Sequence, residues 1–153
     1  MPIRILLFAA LLAAAGCEPP TSPGDLDSLA AARVRWRAQG IESYSYELNR
    51  SCFCVFGGRR MTVTVQNGVV TEAGYVDSGN AVETALLTYV PTIPDLFDLL
   101  EAALEGSPAY FFASYDPIDG HPTRIEIDYS ANAIDDELAI SARNLVVTGL
   151  RPR

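Results

Sequence analysis

The chain has 153 residues, of which 49% are hydrophobic and 20% charged, so it fits one globular domain and not a disordered, collagen-like or coiled-coil protein. Its basic residues are all Arg, and 19 acidic residues bring the net charge to -8, which argues against nucleic acid as a partner. Three Cys and one His leave little material for a metal or thiol enzyme. We therefore predict no cofactor, no metal site and no catalytic residue.

The N-terminal residues 1–16 have the composition of a secretory signal peptide. Arg4 precedes an apolar run, 5–12, which is too short to span a bilayer and is followed by small residues. Residues 14–17 (Ala-Ala-Gly-Cys) resemble the bacterial lipobox, which implies cleavage before Cys17 and acylation of that Cys, for example with palmitate. The alternative is an ordinary signal peptide with Cys17 near its cleavage site. We expect an exported protein held on a membrane of the bacterial cell envelope by its N-terminal lipid anchor.

Residues 17–24 comprise the lipidated Cys and a Pro-rich polar stretch, which we interpret as a semi-rigid spacer. The domain is acidic and is not expected to bind anionic headgroups, so attachment depends on the acyl chains. Glu18 stands where an Asp favours inner-membrane retention in Gram-negative lipoproteins. That resemblance favours the outer membrane, with the domain facing the periplasm. Residues 25–153 are predicted to form a single folded domain.

Two amphipathic helices are predicted in this domain. The first begins at Asp25 and ends before Gly40, with charges that match the helix dipole. Its apolar stripe consists of Leu26, Leu29, Ala32 and Trp36. The second begins with a capping box at Thr92–Asp95 and ends at residues 106–108. Its apolar stripe consists of Ile93, Leu96, Phe97, Leu100 and Leu104.

Elsewhere the apolar residues alternate with polar ones, as in half-buried strands. The predicted strands cover residues 44–48, 61–66, 69–76, 110–115, 123–129 and 137–150. Asn67-Gly68 separates two of them and predicts a two-residue hairpin turn. In the last strand the apolar parity changes near Arg143-Asn144, which predicts a β-bulge.

The order of helix, three strands, helix and three strands predicts an α+β domain, and the two α-β-β-β halves are candidate tandem repeats. We expect an antiparallel β-sheet with both helices packed on one face and with its other face polar and open to solvent. Ser45 and Glu72 belong to that open face. The candidate binding residues on it are Glu47, Thr62, Thr64, Arg124, Glu126 and Asp128.

Cys52 and Cys54 remain as a pair once Cys17 is acylated. In an oxidising compartment a disulfide is the default for two Cys. The two Cys are two residues apart. On an extended strand the distance between their Cα atoms would be near the upper limit for a disulfide, so a bent backbone is required. A redox-active pair or a soft-metal thiolate site is the alternative, although two ligands of a tetrahedral metal site are missing.

His121 is the only His of the chain and lies in a predicted turn with Asp116 and Asp119. In a turn of this composition, a solvent-exposed or turn-stabilising His is more common than a catalytic or metal-binding one.

A series of short motifs between about residues 30 and 145 resembles a family of bacterial lipoproteins known as domain of unknown function 6174. The motifs are Trp36, Tyr44-Ser45-Tyr46, Cys52-Phe53-Cys54, Asn67-Gly68-Val69, Leu96-Phe97, Tyr115-Asp116, Gly120-His121-Pro122-Thr123, Ile125-Glu126-Ile127-Asp128 and Asp135-Asp136-Glu137. The resemblance rests on the whole series, because each motif alone is common. It implies an envelope location and carries over no activity and no catalytic residue.

Two functional hypotheses from different classes follow. The first is a non-catalytic binding or envelope-assembly module, in which the open sheet face contacts an envelope protein partner, by analogy with small proteins that present a sheet to a partner. The alternative is a thiol-disulfide or metal-dependent enzyme using Cys52, Cys54 and His121. It requires these three residues to meet around a concave pocket.

Overall fold

The structure, a computed structural model, describes residues 23–151. The predicted signal peptide 1–16, the lipidation site Cys17 and the spacer as far as residue 22 lie outside the described residues. The elements are α1 (Pro23–Gln39), β1 (Ile41–Ser51), β2 (Arg59–Gln66), β3 (Val69–Tyr75), a 3-10 helix (Thr84–Tyr89), α2 (Ile93–Glu105), β4 (Tyr110–Tyr115), β5 (Pro122–Asp128) and β6 (Glu137–Leu150).

The strands form one six-stranded antiparallel sheet in the order β3-β2-β1-β6-β5-β4, and both helices cover one of its faces. This confirms the predicted α+β class. Each half is a helix followed by a three-stranded meander, and the two meanders run in the same direction across the sheet. This arrangement is the one a tandem α-β-β-β repeat produces. The long strands β1 and β6 join the halves at the centre.

The helix boundaries follow local chemistry. At the start of α2, the Asp95 amide donates to the Thr92 hydroxyl at 3.2 Å and the Thr92 amide donates to the Asp95 carboxylate at 2.7 Å, as a capping box requires. Helix α1 begins at Pro23, two residues before the predicted start. Its stripe is buried only from Leu29 onward, and Leu26, predicted to lie on the same stripe, is 53% exposed.

Two predicted backbone irregularities are confirmed. Asn67 and Gly68 both have positive φ, 50° and 79°, as a type I′ hairpin turn between β2 and β3 needs. The register between β1 and β6 shifts where the predicted bulge lies, so that Ser45 pairs with Val146 but Glu47 pairs with Arg143. Asn144 inside this bulge has a φ of 54°, a conformation that Asn tolerates better than most residues.

The core lies between the sheet and the helices. Buried Tyr44 accepts a hydrogen bond from the Ile93 amide at 2.8 Å, and Tyr46 donates to the Pro91 carbonyl, so the central strand is bonded to the start of α2. Burial raises the pKa of Tyr44 to about 12. Arg33 of α1 pairs with Asp98 and Glu101 of α2, at 2.9 and 3.1 Å. The helices are thereby tied to each other as well as to the sheet.

Neither described helix is long and apolar enough to cross a membrane. The segment between β3 and α2 contains the 3-10 helix, which the sequence did not indicate because its apolar residues follow no helical or strand period. The same segment lies along the outer edge of β3, through a bridge from Gly74 to Ala81. Among the described residues, β4 is therefore the strand whose outer edge has no neighbouring strand.

Candidate functional site

The face of the sheet opposite the helices is open, as predicted. The register places all the candidate residues on it, and each is exposed or half-exposed: Glu47, Thr62, Thr64, Arg124, Glu126 and Asp128. Glu47 lies directly opposite Thr62 on β2, and Thr64 lies between Ser45 and Glu72. This open sheet face is the candidate functional site.

The candidate residues fall into two groups. Glu47, Thr62 and Thr64 belong to β1 and β2, whereas the other three belong to β5. Strand β6 lies between the groups and contributes Ser141 and Arg143, which the sequence analysis had not placed on this face. Ser141 follows the alternation of Leu138, Ile140 and Ala142, whereas Arg143 adjoins the bulge, where that alternation ends.

Several polar groups of the open face are already paired. The Arg124 side chain donates to Glu126 at 2.8 Å and lies over the Phe112 ring, 5.6 Å from its centroid. The Asn144 side-chain amide donates to Glu47 at 2.9 Å. The bulge that turns Asn144 into the left-handed conformation thus holds one of the predicted binding residues. Sequence reasoning missed Phe112, because both Phe111 and Phe112 are aromatic and no alternation separates the two faces there.

At one end the open face deepens into a groove of about 510 Å³. Its floor is formed by the last residues of β1 and β5 and the first residues of β4 and β6, and we call it the acidic groove. Its charged and aromatic lining consists of Phe53, Tyr110, Glu126, Asp128, Asp135 and Glu137. No Arg, Lys or His lines it among the described residues.

One wall of the acidic groove is a turn, residues 52–58, that contains the predicted disulfide. The sulfur atoms of Cys52 and Cys54 lie within bonding distance, and the Cα atoms are 5.3 Å apart because the backbone bends here, as the bridge requires. The Gly58 amide donates to the Arg50 carbonyl at 2.7 Å and closes the turn. Gly57 is needed because a Cβ there would lie 2.1 Å from the Cys52 carbonyl oxygen.

A disulfide between Cys52 and Cys54 would shape the turn more than it would stabilise the domain. The two Cys are only two residues apart, so closing this loop reduces the entropy of the unfolded chain very little. The resulting stabilisation is about 1.6 kcal/mol, against about 3 kcal/mol for a loop of about 15 residues. Phe53, between the two Cys, is 88% exposed, and Val55 is 47% exposed. The turn therefore fixes the backbone beneath an aromatic side chain that projects into solvent.

The structure does not bring together the three residues of the enzyme hypothesis. His121 immediately precedes β5, whereas Cys52 and Cys54 lie beside the other end of that strand, and His121 lines neither of the described depressions that contain these Cys. His121 is 6% exposed, so of the two roles predicted together, solvent-exposed or turn-stabilising, the turn-stabilising one is observed. Its burial follows from the packing of the turn on α1, which the sequence does not reveal.

The turn of residues 116–121 holds His121 through hydrogen bonds. The His121 ring lies 2.5 Å from the Asp119 carboxylate, and the Asp116 carboxylate accepts the amides of Ile118 and Asp119 at 2.8 and 3.1 Å. Burial alone raises the pKa of Asp116, but these amides, together with the nearby His121, lower it below its ordinary value. The ligand atoms of Asp116, Asp119 and His121 lie within 4.8 Å of one another, although their hydrogen bonds already account for this arrangement.

Gly120 in this turn packs directly against α1. Its φ is +86°, and a Cβ at this position would lie 2.4 Å from the Ala32 carbonyl oxygen and 2.9 Å from the Arg35 Cβ. Only a glycine fits so close to the helix backbone. The Asp-Gly-His turn therefore has a structural explanation and needs no ligand.

The family of unknown function DUF6174 matches residues 28–147. The chain belongs to this family. The match covers most of α1, the turn of residues 52–58, α2 and most of the sheet of this DUF6174 protein, and it assigns no activity to any of them. No curated protein and no solved structure matches the chain.

Proposed function

We propose that this DUF6174 protein is an exported, lipid-anchored binding module of the bacterial envelope that contacts another envelope protein through its open sheet face and catalyses no reaction. One observation supports the proposal: the face that the helices leave free is polar along β1, β2 and β5, where the candidate residues lie in register. The helices bury the opposite face, so the open face is the broad surface available to a partner.

The anchoring part of the proposal is supported by the composition of residues 1–24. A signal peptide, an acylated Cys17 and a Pro-rich spacer hold the domain close to the membrane and leave the sheet accessible. The lack of Asp after Cys17 favours the outer membrane and a domain that faces the periplasm.

Cys17→Ala tests the anchor. We expect loss of acyl labelling and release of the protein from membranes, because the acidic domain has no attraction of its own for anionic headgroups. Unchanged partitioning into membranes and unchanged labelling would refute lipid anchoring.

Crosslinking in the native envelope tests the binding surface. We expect a partner to be captured by the wild-type chain and lost when Glu47, Glu126 and Asp128 are each replaced by Arg, because reversed charge repels a partner that the native face attracts. Glu83→Arg with Glu105→Arg, two exposed positions outside the open face, is the control. Equal capture by the reversed variant would place the binding surface elsewhere.

A further inference from the structure

The acidic groove combines an exposed aromatic side chain with unpaired carboxylates. Phe53 is 88% exposed on a turn that its flanking disulfide and Gly57 hold in one conformation. Aromatic side chains, Phe included, are enriched at protein interfaces, and a constrained backbone beneath one loses little further entropy when it binds.

The second property is uncompensated negative charge. Asp128 on β5 and Glu137 on β6 lie directly opposite each other in the ladder, on the same face of the sheet. Like charges in this position destabilise a sheet. Asp128 accepts a hydrogen bond from the Ser130 amide at 3.0 Å, but within the described residues neither carboxylate takes part in an ion pair, and neither does Asp135 nearby. A cation placed between Asp128 and Glu137 would relieve their repulsion.

From these two properties we propose that the acidic groove binds a polypeptide segment of the partner in which a basic side chain adjoins an apolar one. The apolar side chain packs on Phe53 and Tyr110, and the Arg or Lys side chain lies between Asp128 and Glu137. This inference rests on the proposed binding function and specifies the chemistry of the partner at one end of the open face.

Charge and size favour this occupant over others. An anionic lipid headgroup or nucleic acid would be repelled by the carboxylates. A single bound metal ion does not fill about 510 Å³, and the described residues bring three metal-ligand groups together only in the turn of residues 116–121. A guanidinium group between two carboxylates can donate to both, which gives direction as well as charge.

The proposal is tested by selecting peptides on the full-length protein in detergent micelles. A random 12-residue peptide library displayed on phage is panned on the wild-type chain and counter-selected on Phe53→Ser. We expect enriched peptides with Arg or Lys next to an apolar residue. Measured by fluorescence anisotropy, the affinity of one such synthetic peptide should fall by about tenfold or more in Phe53→Ser, the loss typical of a central interface residue.

A matched variant separates the loss of Phe53 from the loss of any exposed apolar residue. Ile118 is 79% exposed in the turn at the opposite end of β5, so Ile118→Ser should leave the affinity unchanged. Reduction of the disulfide followed by alkylation should weaken binding, because the turn loses the constraint that holds Phe53.

The role of Asp128 and Glu137 is tested by two effects that a single variant should show together. Asp128→Asn with Glu137→Gln should weaken peptide binding several-fold and also raise the melting temperature of the free protein, because it removes the repulsion across the strands. A variant that is merely misfolded would bind the peptide weakly and would also have a lower melting temperature than wild type. Added salt should weaken peptide binding to the wild-type chain more than to this variant.

Three results would overturn the proposal: no peptide enriched over the Phe53→Ser counter-selection, enriched peptides without basic residues, or concentration-dependent self-association that Phe53→Ser abolishes. The last result would make a second copy of the chain the occupant. Crosslinking separates this inference from the proposed function. A partner whose capture depends on Glu47 but not on Phe53 would leave the open face as the binding surface and remove the groove from it.

Discussion

Gly120→Ala is the substitution for which the structure makes the sharpest energetic prediction. The backbone at this position is left-handed, with a φ of +86°, and the new Cβ would lie 2.4 Å from the Ala32 carbonyl oxygen of α1. Two costs therefore add. The left-handed conformation costs an L-residue about 1–2 kcal/mol, and the overlap with the helix backbone adds about 1–3 kcal/mol, as overpacking does in other cores.

Gly79→Ala is the matched control. Gly79 has a φ of +71°, but nothing lies within 4 Å of a Cβ at that position. Gly79→Ala therefore has the cost of the left-handed conformation but not the cost of the steric overlap. Both substitutions reduce the entropy of the unfolded chain equally, so this effect cancels when the two variants are compared. The difference between the two variants isolates the packing of the 116–121 turn on α1.

Urea and thermal unfolding of the full-length chain, followed by circular dichroism, measure this difference. We expect Gly120→Ala to be less stable than Gly79→Ala by about 1–3 kcal/mol, or about 4–12 °C in melting temperature for a domain of this size. Equal losses in the two variants would show that the turn does not pack on the helix in solution, and the structural explanation of His121 would fail with it.

Three further predictions concern buried phenols, the bulge and the disulfide. Since burial raises the pKa of Tyr44 from 10.0 to about 12, the contribution of its neutral hydroxyl to stability should be complete below pH 10 and lost as the pH rises toward 12. Measured by urea unfolding, Tyr44→Phe should be less stable than wild type by about 1–2 kcal/mol at pH 8, and the difference should be smaller at pH 11. A difference that does not change with pH would contradict this. Asn144 has a φ of 54°, so Asn144→Ala should be less stable in urea than Asn144→Gly by about 1 kcal/mol, and equal stabilities would argue against a left-handed residue in the bulge. Mass spectrometry of the exported protein should find Cys52 and Cys54 unalkylated unless a reductant is added first, and alkylation of both without reduction would rule out the bridge.

The parts of this fold that the sequence predicts well are those that neighbouring residues determine. The capping box at Thr92–Asp95, the Asn67-Gly68 turn and the bulge near Asn144 each depend on side chains within a few residues of one another. The open face was also predictable, because strict alternation in β1, β2 and β5 separates polar from apolar residues.

The features that escaped prediction depend on contacts between distant parts of the chain. His121 is buried because Gly120 meets Ala32, more than 80 residues earlier in the chain. The acidic groove forms where the ends of four strands meet the disulfide turn, so Phe53, which follows β1, reaches Asp128 only because β1 pairs with β6 and β6 with β5. Neither arrangement is visible in the spacing of residues along the sequence.

The central position of β6 determines when this sheet can form. Strand β6 is the last element of the described chain, and it pairs with β1 from Ile41–Leu150 to Ser51–Ala139, contacts that span about 90 to 110 residues of sequence. Before β6 is available, the chain can form only two separate ribbons, β3-β2-β1 and β5-β4, whose inner edges have no neighbour. Pairing at this sequence separation is slow, and open strand edges promote aggregation while it is incomplete. The sheet should therefore form only once β6 is present, and a chain truncated before Glu137 should aggregate.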